Sequence, residues 1–419
     1  MRTRYFGILA LAALLAAAPA PCEAQFGIVK RAKEAAARKA EEEAAKRAEK
    51  AVEKEAGKLD GQPDTTSAAA GAAGTAGAPA AGYSASSAAA PKADAKVWDN
   101  YDFVPGSKVI FFTDFSEDKV GNFARGLKYK AGTMDVVERD GVKMLRSTSR
   151  GEFMLPAGAK LPERFTLEID VIAPTKHVGG YDIVAFEGGS TWDRSAASAE
   201  INWSAGGTLI MGGGQTGGTS TVALSDAVAS QIPGNVTHIR VLMDGSYFKL
   251  YNNERRMYNI PELQFKRDSL IRFLVKGGEE PGQETYVTMV RVAESETDVL
   301  YDALMAKGRW ATQGILFATG KSDLKPESTP VLKEIAATLA KYGDLKILIE
   351  GHTDNVGSAA SNLALSDARA AAVKDALATQ YGIDAARITT KGLGDTKPSV
   401  PNATATGRAQ NRRVEVVKL

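Results

Sequence analysis

The side chains able to do chemistry in this 419-residue chain fall into three groups. Glu168 and Asp170 lie two residues apart in Arg164-Phe-Thr-Leu-Glu-Ile-Asp-Val171. The run alternates polar and apolar residues, so both carboxylates leave one face of a strand. Asp354 stands in Gly351-His-Thr-Asp-Asn355, just after the buried-strand pattern Leu345 to Glu350, and Arg369 lies two turns into the helix that follows. An anion and a cation so placed can cap a turn, pair with surface groups such as Asp367 or Asp395, or grip a ligand. The third group is three His residues far apart and a single Cys. That set allows no internal disulfide and no multi-cysteine zinc site, and it argues against a His-rich metal centre. His352 reads as a structural hydrogen-bonding residue, and Arg413 as the partner of a carboxylate that holds the last strand. No cofactor is implied.

These residues need scaffolds, and composition bounds them. Lys plus Arg is 52 and Asp plus Glu is 50, a net charge of +2, which excludes a nucleic-acid protein held by bulk electrostatics. Residues 1–24 read as a signal peptide: Arg2 and Arg4, an apolar run Ile8 to Ala18, then Cys22-Glu23-Ala24 before Gln25. The run is too short to span a bilayer, and Pro21 suits a lipoprotein peptidase poorly, so cleavage after Ala24 is expected and the protein is exported. Residues 25–60 read as a charged helical spacer, with Glu34–Arg38, Glu42–Lys46 and Glu43–Arg47 at i,i+4. Residues 61–96, rich in Ala, Gly, Ser and Pro, read as a disordered linker.

From 97 to 296 the period becomes two. Phe165, Leu167, Ile169 and Val171 share a face, as do Ile239, Val241 and Met243, and Leu270 to Val275 and Tyr286 to Val292 behave likewise. Turn pairs such as Asp244-Gly245 and Asn252-Asn253 separate the runs, so an all-β sandwich is expected, with a transmembrane barrel as its rival. The Gly-rich stretches Gly206-Gly207 and Gly212 to Gly218 read as loops or strand edges, not phosphate cradles. With Phe112-Thr-Asp-Phe-Ser116 near its start, the region loosely resembles concanavalin-like or laminin-G-like jelly rolls. Some glucan-cleaving jelly rolls carry Glu-x-Asp-x-x-Glu; here the third position is Ala173, so the proton donor is missing and the pair reads as an exposed polar strand face.

From 297 to 419 the pattern turns to strands and helices: a short helix capped by Thr297-Asp298, a strand at Gly314 to Thr319, a helix capped by Thr329 with a stripe Val331, Ile335, Leu339 and Tyr342, and a second helix from about Ser361 to Tyr381 ended by Gly382. Ile388 to Gly392 and Arg413 to Val417 add strands, giving an α/β domain with a small mixed sheet and helices on one face. Gly314-Ile-Leu-Phe317, Gly351-His-Thr-Asp-Asn-Val-Gly357, Asn362-x-x-Leu-Ser-x-x-Arg-Ala370, Gly392-x-Gly394 and Gly407-Arg-Ala-Gln-Asn-Arg-Arg-Val-Glu415 resemble, in order, the OmpA-like peptidoglycan-binding domain. The resemblance implies non-covalent binding of the diaminopimelate of the peptidoglycan stem peptide. Asp354 would take its ammonium and Arg369 its carboxylate, with Thr353, Asn362 and Arg412 in support. Ala318 and Gly320 depart from the family by replacing polar groups after Phe317, leaving the Gly320 backbone as a donor. The expectation is a non-catalytic envelope protein on the periplasmic side of the outer membrane. It would link peptidoglycan to that membrane or to a glycan or protein held by the sandwich; the alternative is a carbohydrate-binding or carbohydrate-cleaving jelly roll localised by the OmpA-like domain.

Overall fold

A computed structural model describes residues 101–178, 183–190, 199–204, 207–212, 220–295 and 300–419. The predicted signal peptide, helical spacer and linker lie outside these residues, as do Gly206, Gly213 to Gly218 and the Thr297-Asp298 cap. The described residues belong to one unit, 78–419. Its first part is built of β1 (Lys108–Thr113), β2 (Lys128–Ala131), β3 (Met134–Arg139), β4 (Val142–Ser147), β5 (Arg150–Pro156), β6 (Arg164–Ile172), β7 (Val184–Gly188), β8 (Ala199–Ser204), β9 (Gly207–Gly212) and β10 (Ser220–Ala223). A single helical turn, α1 (Asp226–Ala229), then leads to β11 (Val236–Asp244), β12 (Tyr247–Asn252), β13 (Arg255–Ile260), β14 (Leu270–Lys276) and β15 (Thr285–Glu294).

These strands form two antiparallel sheets. One runs β13-β12-β11-β6-β15-β4-β3, with β1 sharing the β4 edge of β15, and the other runs β10-β9-β8-β7-β14-β5-β2. Among the described residues neither order closes on itself into a barrel. The period-two rows explain the layering. Phe165, Leu167, Ile169 and Val171 of β6 and Ile239, Val241 and Met243 of β11 meet Phe153 and Leu155 of β5 and Ile271, Phe273 and Val275 of β14 in one apolar core. Full burial of each such side chain contributes about 1.5–3 kcal/mol. Phe153 and Phe273 stack at 5.1 Å between ring centroids. Each turn pair begins on the last residue of a strand, Asp244 of β11 and Asn252 of β12, and Asn253 takes the left-handed conformation at φ 52°.

The second part comprises α2 (Leu300–Lys307), β16 (Arg309–Thr312), α3 (Thr329–Lys341), β17 (Ile347–His352), α4 (Ala359–Tyr381), β18 (Ile388–Gly394), α5 (Ala405–Asn411) and β19 (Val414–Lys418). Its sheet runs β16-β19-β17-β18, parallel between β17 and β18 and antiparallel elsewhere, so it is mixed. Val331, Ile335 and Leu339 of α3 and Val373 and Leu377 of α4 cover its apolar side. The first strand is not Gly314 to Thr319 but Arg309–Thr312. Beyond Thr312 the chain turns away: its hydroxyl accepts from Gly314 N, and the Ser328 hydroxyl satisfies both the N–H and the carbonyl of Leu316. With Ser328 thus occupied, α3 starts without a side-chain cap. The Ser358 hydroxyl caps α4 by accepting from Ser361 N, and Gly382, at φ 68°, ends it in the left-handed region.

The two parts share an interface. The free edge of β1 is covered by α5: Val109 N donates to Gln410 Oε1 at 2.5 Å and Phe112 N to Thr406 Oγ1 at 3.1 Å. Covering an unpaired strand edge removes a template for aggregation. Inside the second part, α4 lies directly on β17, so close that a Cβ on Gly351 would collide with the Ser366 carbonyl oxygen. Gly351→Ala is therefore expected to lower the unfolding free energy by about 1–3 kcal/mol, read from the midpoint of urea unfolding at unchanged slope.

Candidate functional site

The close contact of α4 with β17 sets Arg369 beside the loop that leaves β17. In that loop Asp354 is 9% exposed and does two things. Its Oδ1 accepts from Val356 N at 3.1 Å, closing a turn, and its Oδ2 accepts from Arg412 Nη1 at 2.6 Å. Thr353 Oγ1 and Asn362 Nδ2 both donate to the Asp354 carbonyl oxygen, at 2.8 and 3.1 Å. These two side chains hold the loop and are spent on its backbone. Arg412, placed in a supporting role by sequence, is the direct partner of Asp354.

Arg369 is differently placed. Its Nε donates to the Lys321 carbonyl at 3.0 Å, and its guanidinium lies 5.0 Å above the Phe317 ring. Among the described residues it has no carboxylate within ion-pair distance. Asp367 is engaged instead by Gly392 N. Burial lowers the Arg369 pKa, partly opposed by the Asp354 charge and reinforced by Arg412. A guanidinium stays protonated near neutrality all the same. The loop after Phe317 thus contributes the Lys321 carbonyl, which aims Arg369. Asp354, Arg369 and Arg412 come together as one anion and two cations, with the outer edge of Arg369 open. That arrangement suits a ligand carrying a carboxylate beside an ammonium.

Behind the site, Arg413 donates to Glu415 at 2.7 Å, as expected of it. His352 differs from expectation. Both its ring nitrogens lack a hydrogen-bond partner, and Nε2 stands 3.8 Å from Glu415. Burial and the Arg413 charge lower its pKa to about 4. Glu350, His352 and Glu415 could present ligand atoms within 4.8 Å of one another, but Arg309 and Arg413 already neutralise Glu415, and such cations repel a metal ion.

The expectation that Glu168 and Asp170 form an exposed strand face is overturned. Glu168 is 6% exposed and bonded to Arg291, with Arg240 Nε at 3.4 Å. Asp170 accepts from Arg240 Nη1 at 2.7 Å and lies 2.8 Å from His238 Nδ1. The register of β6 with its neighbours places Arg240 and Arg291 opposite Glu168. Burial alone would raise the Asp170 pKa, but Arg240 and His238 outweigh it and hold the carboxyl well below its usual range. A carboxylate so held is no proton donor. Sequence reasoning missed Arg240 and Arg291. Their polar positions within apolar rows were the available signal, but which strand they faced was not readable.

Asp354, Arg369, Arg412 and His352 also line or adjoin a cleft of about 290 Å³, and the opposite wall is the Asp170–His238–Arg240 group of the β part.

The fold and the side chains of 300–419 define a small α/β domain with a charged loop beside its longest helix, and its family follows from comparison with known proteins. The OmpA family profile matches residues 316–412. Outer membrane porin F of Pseudomonas aeruginosa is 43% identical over 101 residues, 24% of this chain and 29% of that one. Outer membrane protein A of Bordetella avium is 46% identical over 101 residues, covering 24% and 51%. The chain therefore spans under a third of the porin's length and about half of the Bordetella protein's. Among solved structures, the peptidoglycan-associated lipoprotein from Burkholderia pseudomallei is 31% identical, with 29% of this chain and all of that one covered at a TM-score of 0.25. Through this domain the chain belongs to the OmpA family.

The low pKa of His352 has a direct consequence for stability. Its folded value of about 4 lies below the ordinary 6.5, so between those values the unfolded chain binds the proton more readily. The contribution is fully present above pH 6.5 and is lost as pH falls toward 4, at up to about 1.4 kcal/mol per pH unit. His352→Gln is expected to flatten that slope relative to the unsubstituted protein in urea titrations at pH 4.5 to 7. Parallel slopes would show that the histidine does not titrate in this way.

Proposed function

We propose that the C-terminal domain, 297–419, binds peptidoglycan non-covalently at the diaminopimelate of the stem peptide. Asp354 receives the ammonium and Arg369 the carboxylate; Arg412 orients Asp354, and Thr353 and Asn362 hold the loop. The observation that carries this reading is the open guanidinium of Arg369 beside the buried Asp354 in a domain of the OmpA family. A forked donor matches a carboxylate in a way that an ammonium side chain does not. The names of the relatives, outer membrane proteins and a peptidoglycan-associated lipoprotein, support the same reading.

The protein acts without catalysis in the cell envelope. It is exported by the signal peptide at 1–24 and works on the periplasmic side of the outer membrane. The segments 25–60 and 61–96 are its spacer and linker, and 97–296 is a jelly-roll-like β domain whose partner is a glycan or a protein. The neutralised Glu168 and Asp170 count against glycan cleavage by that domain.

Asp354→Ala and Arg369→Ala are each expected to reduce retention by purified sacculi about 10–100-fold, because a hydrogen bond to a charged group contributes about 1.5–3 kcal/mol. Pelleting with sacculi measures retention, and circular dichroism establishes that the variants are folded. Folded variants that pellet like the unsubstituted chain would reject the site.

A further inference from the structure

The cleft that receives Arg369 is not a property of the OmpA-type domain alone. Its 290 Å³ is walled on one side by residues of that domain and on the other by β6, β11 and β15 of the β part. A second chamber of about 230 Å³ continues from it past Glu168, His238 and Arg240 toward Tyr101 and Phe103. A single amino acid end fills only the Asp354–Arg369 pole. The remainder sets apolar side chains such as Phe112, Met289, Leu316 and Phe317 beside charged ones, six guanidinium or ammonium groups against three carboxylates.

Most of those charges are already matched. Arg240 and Arg291 are paired with Asp170 and Glu168, Arg412 with Asp354, and Arg413 with Glu415. Among the described residues Lys325 and Arg369 have no such partner, and neither has the third lining carboxylate, Glu327, two positions from Lys325. On the opposite wall, His238 is fixed through Nδ1 to Asp170, while its Nε2 has no partner among the described residues and its side chain is 33% exposed. His352, 4% exposed and with both nitrogens unpartnered, lies on the floor of the same cleft. Buried polar atoms without partners are uncommon and call for a ligand or water.

We propose that the β domain completes the binding site. The second subsite, formed by Lys325 of the OmpA-type domain and His238 of β11, holds the residue that precedes the amino acid gripped by Asp354 and Arg369. Its ligand is an extended peptide with a second carboxylate. Lys325 takes that carboxylate, and the imidazole takes a peptide group, which offers both a donor and an acceptor. The cationic excess favours a peptide with two carboxylates over one with a single carboxylate. This inference rests on the diaminopimelate reading of the first subsite.

The test is calorimetric titration of the full chain with two probes, free diaminopimelate and γ-D-glutamyl-diaminopimelate. The dipeptide is expected to bind at least 10-fold more tightly. His238→Ala, on a partly exposed side chain, is expected to weaken the dipeptide 5–20-fold and free diaminopimelate less than 2-fold; Lys325→Ala, on the exposed rim, should do the same. Arg369→Ala should weaken both probes. Equal affinity for the two probes, or a folded His238→Ala that binds the dipeptide unchanged, overturns the second subsite and leaves the first standing. Loss of neither probe in Arg369→Ala, or binding of neither by the unsubstituted chain, rejects the diaminopimelate reading itself. Should thermal melting show His238→Ala unfolded, the probe ratio in the unsubstituted chain and in Lys325→Ala decides.

Discussion

A buried guanidinium has to be neutralised, and the position of Arg291 imposes that requirement on three distant stretches of chain at once. The residue is 7% exposed in the middle of β15. Glu168 of β6 takes one Nη; the Gly106 carbonyl, at 2.6 Å, and the Gln313 side chain take the other. Gln313 in turn donates to the Ser107 carbonyl at 3.2 Å. Taking one partner from such a group leaves an uncompensated buried charge, typically at about 3–5 kcal/mol. The network therefore fixes the β domain, the segment before β1 and the OmpA-type domain in one relation. The facing of the Asp170–His238–Arg240 wall toward Arg369 follows from it.

The edge of β1 works in the same direction. Its N–H groups are spent on side chains of α5, and the Gln410 amide returns a bond to the Ser107 carbonyl at 2.8 Å. The Phe112 ring, next to that edge, lies 5.1 Å from the Arg412 guanidinium. Arg412 is thus positioned from both sides, by Asp354 of its own domain and by an aromatic face of the β domain. A ring so placed adds about 0.5–2 kcal/mol of cation–π attraction and restricts the rotamers of a long side chain. The β domain helps to set the geometry of the charged loop and is more than a neighbour to it.

What was legible in the sequence tracks what is local. The β6, β11, β14 and β15 strands follow from two-residue alternation, because one face of each fills the core whatever its partner strands are. The α4 helix follows from its apolar positions and Gly382. The family motifs pointed to Asp354 and Arg369 because both lie within the short motif segments 351–357 and 362–370. The misses have physical causes. Trp310 and Thr312 give β16 only four residues of alternation, too few to stand out. The α5 helix has seven residues and no long apolar stripe, and its one signal is Thr404 capping through Gly407 N. The burial of Glu168 and Asp170 was invisible, since their partners His238, Arg240 and Arg291 lie 68 to 123 positions away on other strands of the sheet. The free nitrogens of His352 likewise follow from packing that brings Arg413 to its side and leaves Glu415, itself paired with Arg413, 3.8 Å away.

The distribution of charge then distinguishes holding from catalysis. An acid–base pair needs one carboxyl raised toward neutrality and another kept ionised. Here the two candidate carboxylates of β6 each face a guanidinium, and Asp170 moves away from the range in which it would donate a proton. The same pairings leave Arg369, Lys325 and the carboxylate of Glu327 as the cleft's charged groups without an ion-pair partner among the described residues. Where the unmatched cations stand is set by the glycine-permitted approach of α4 to β17 on one side and by the Arg291 network on the other.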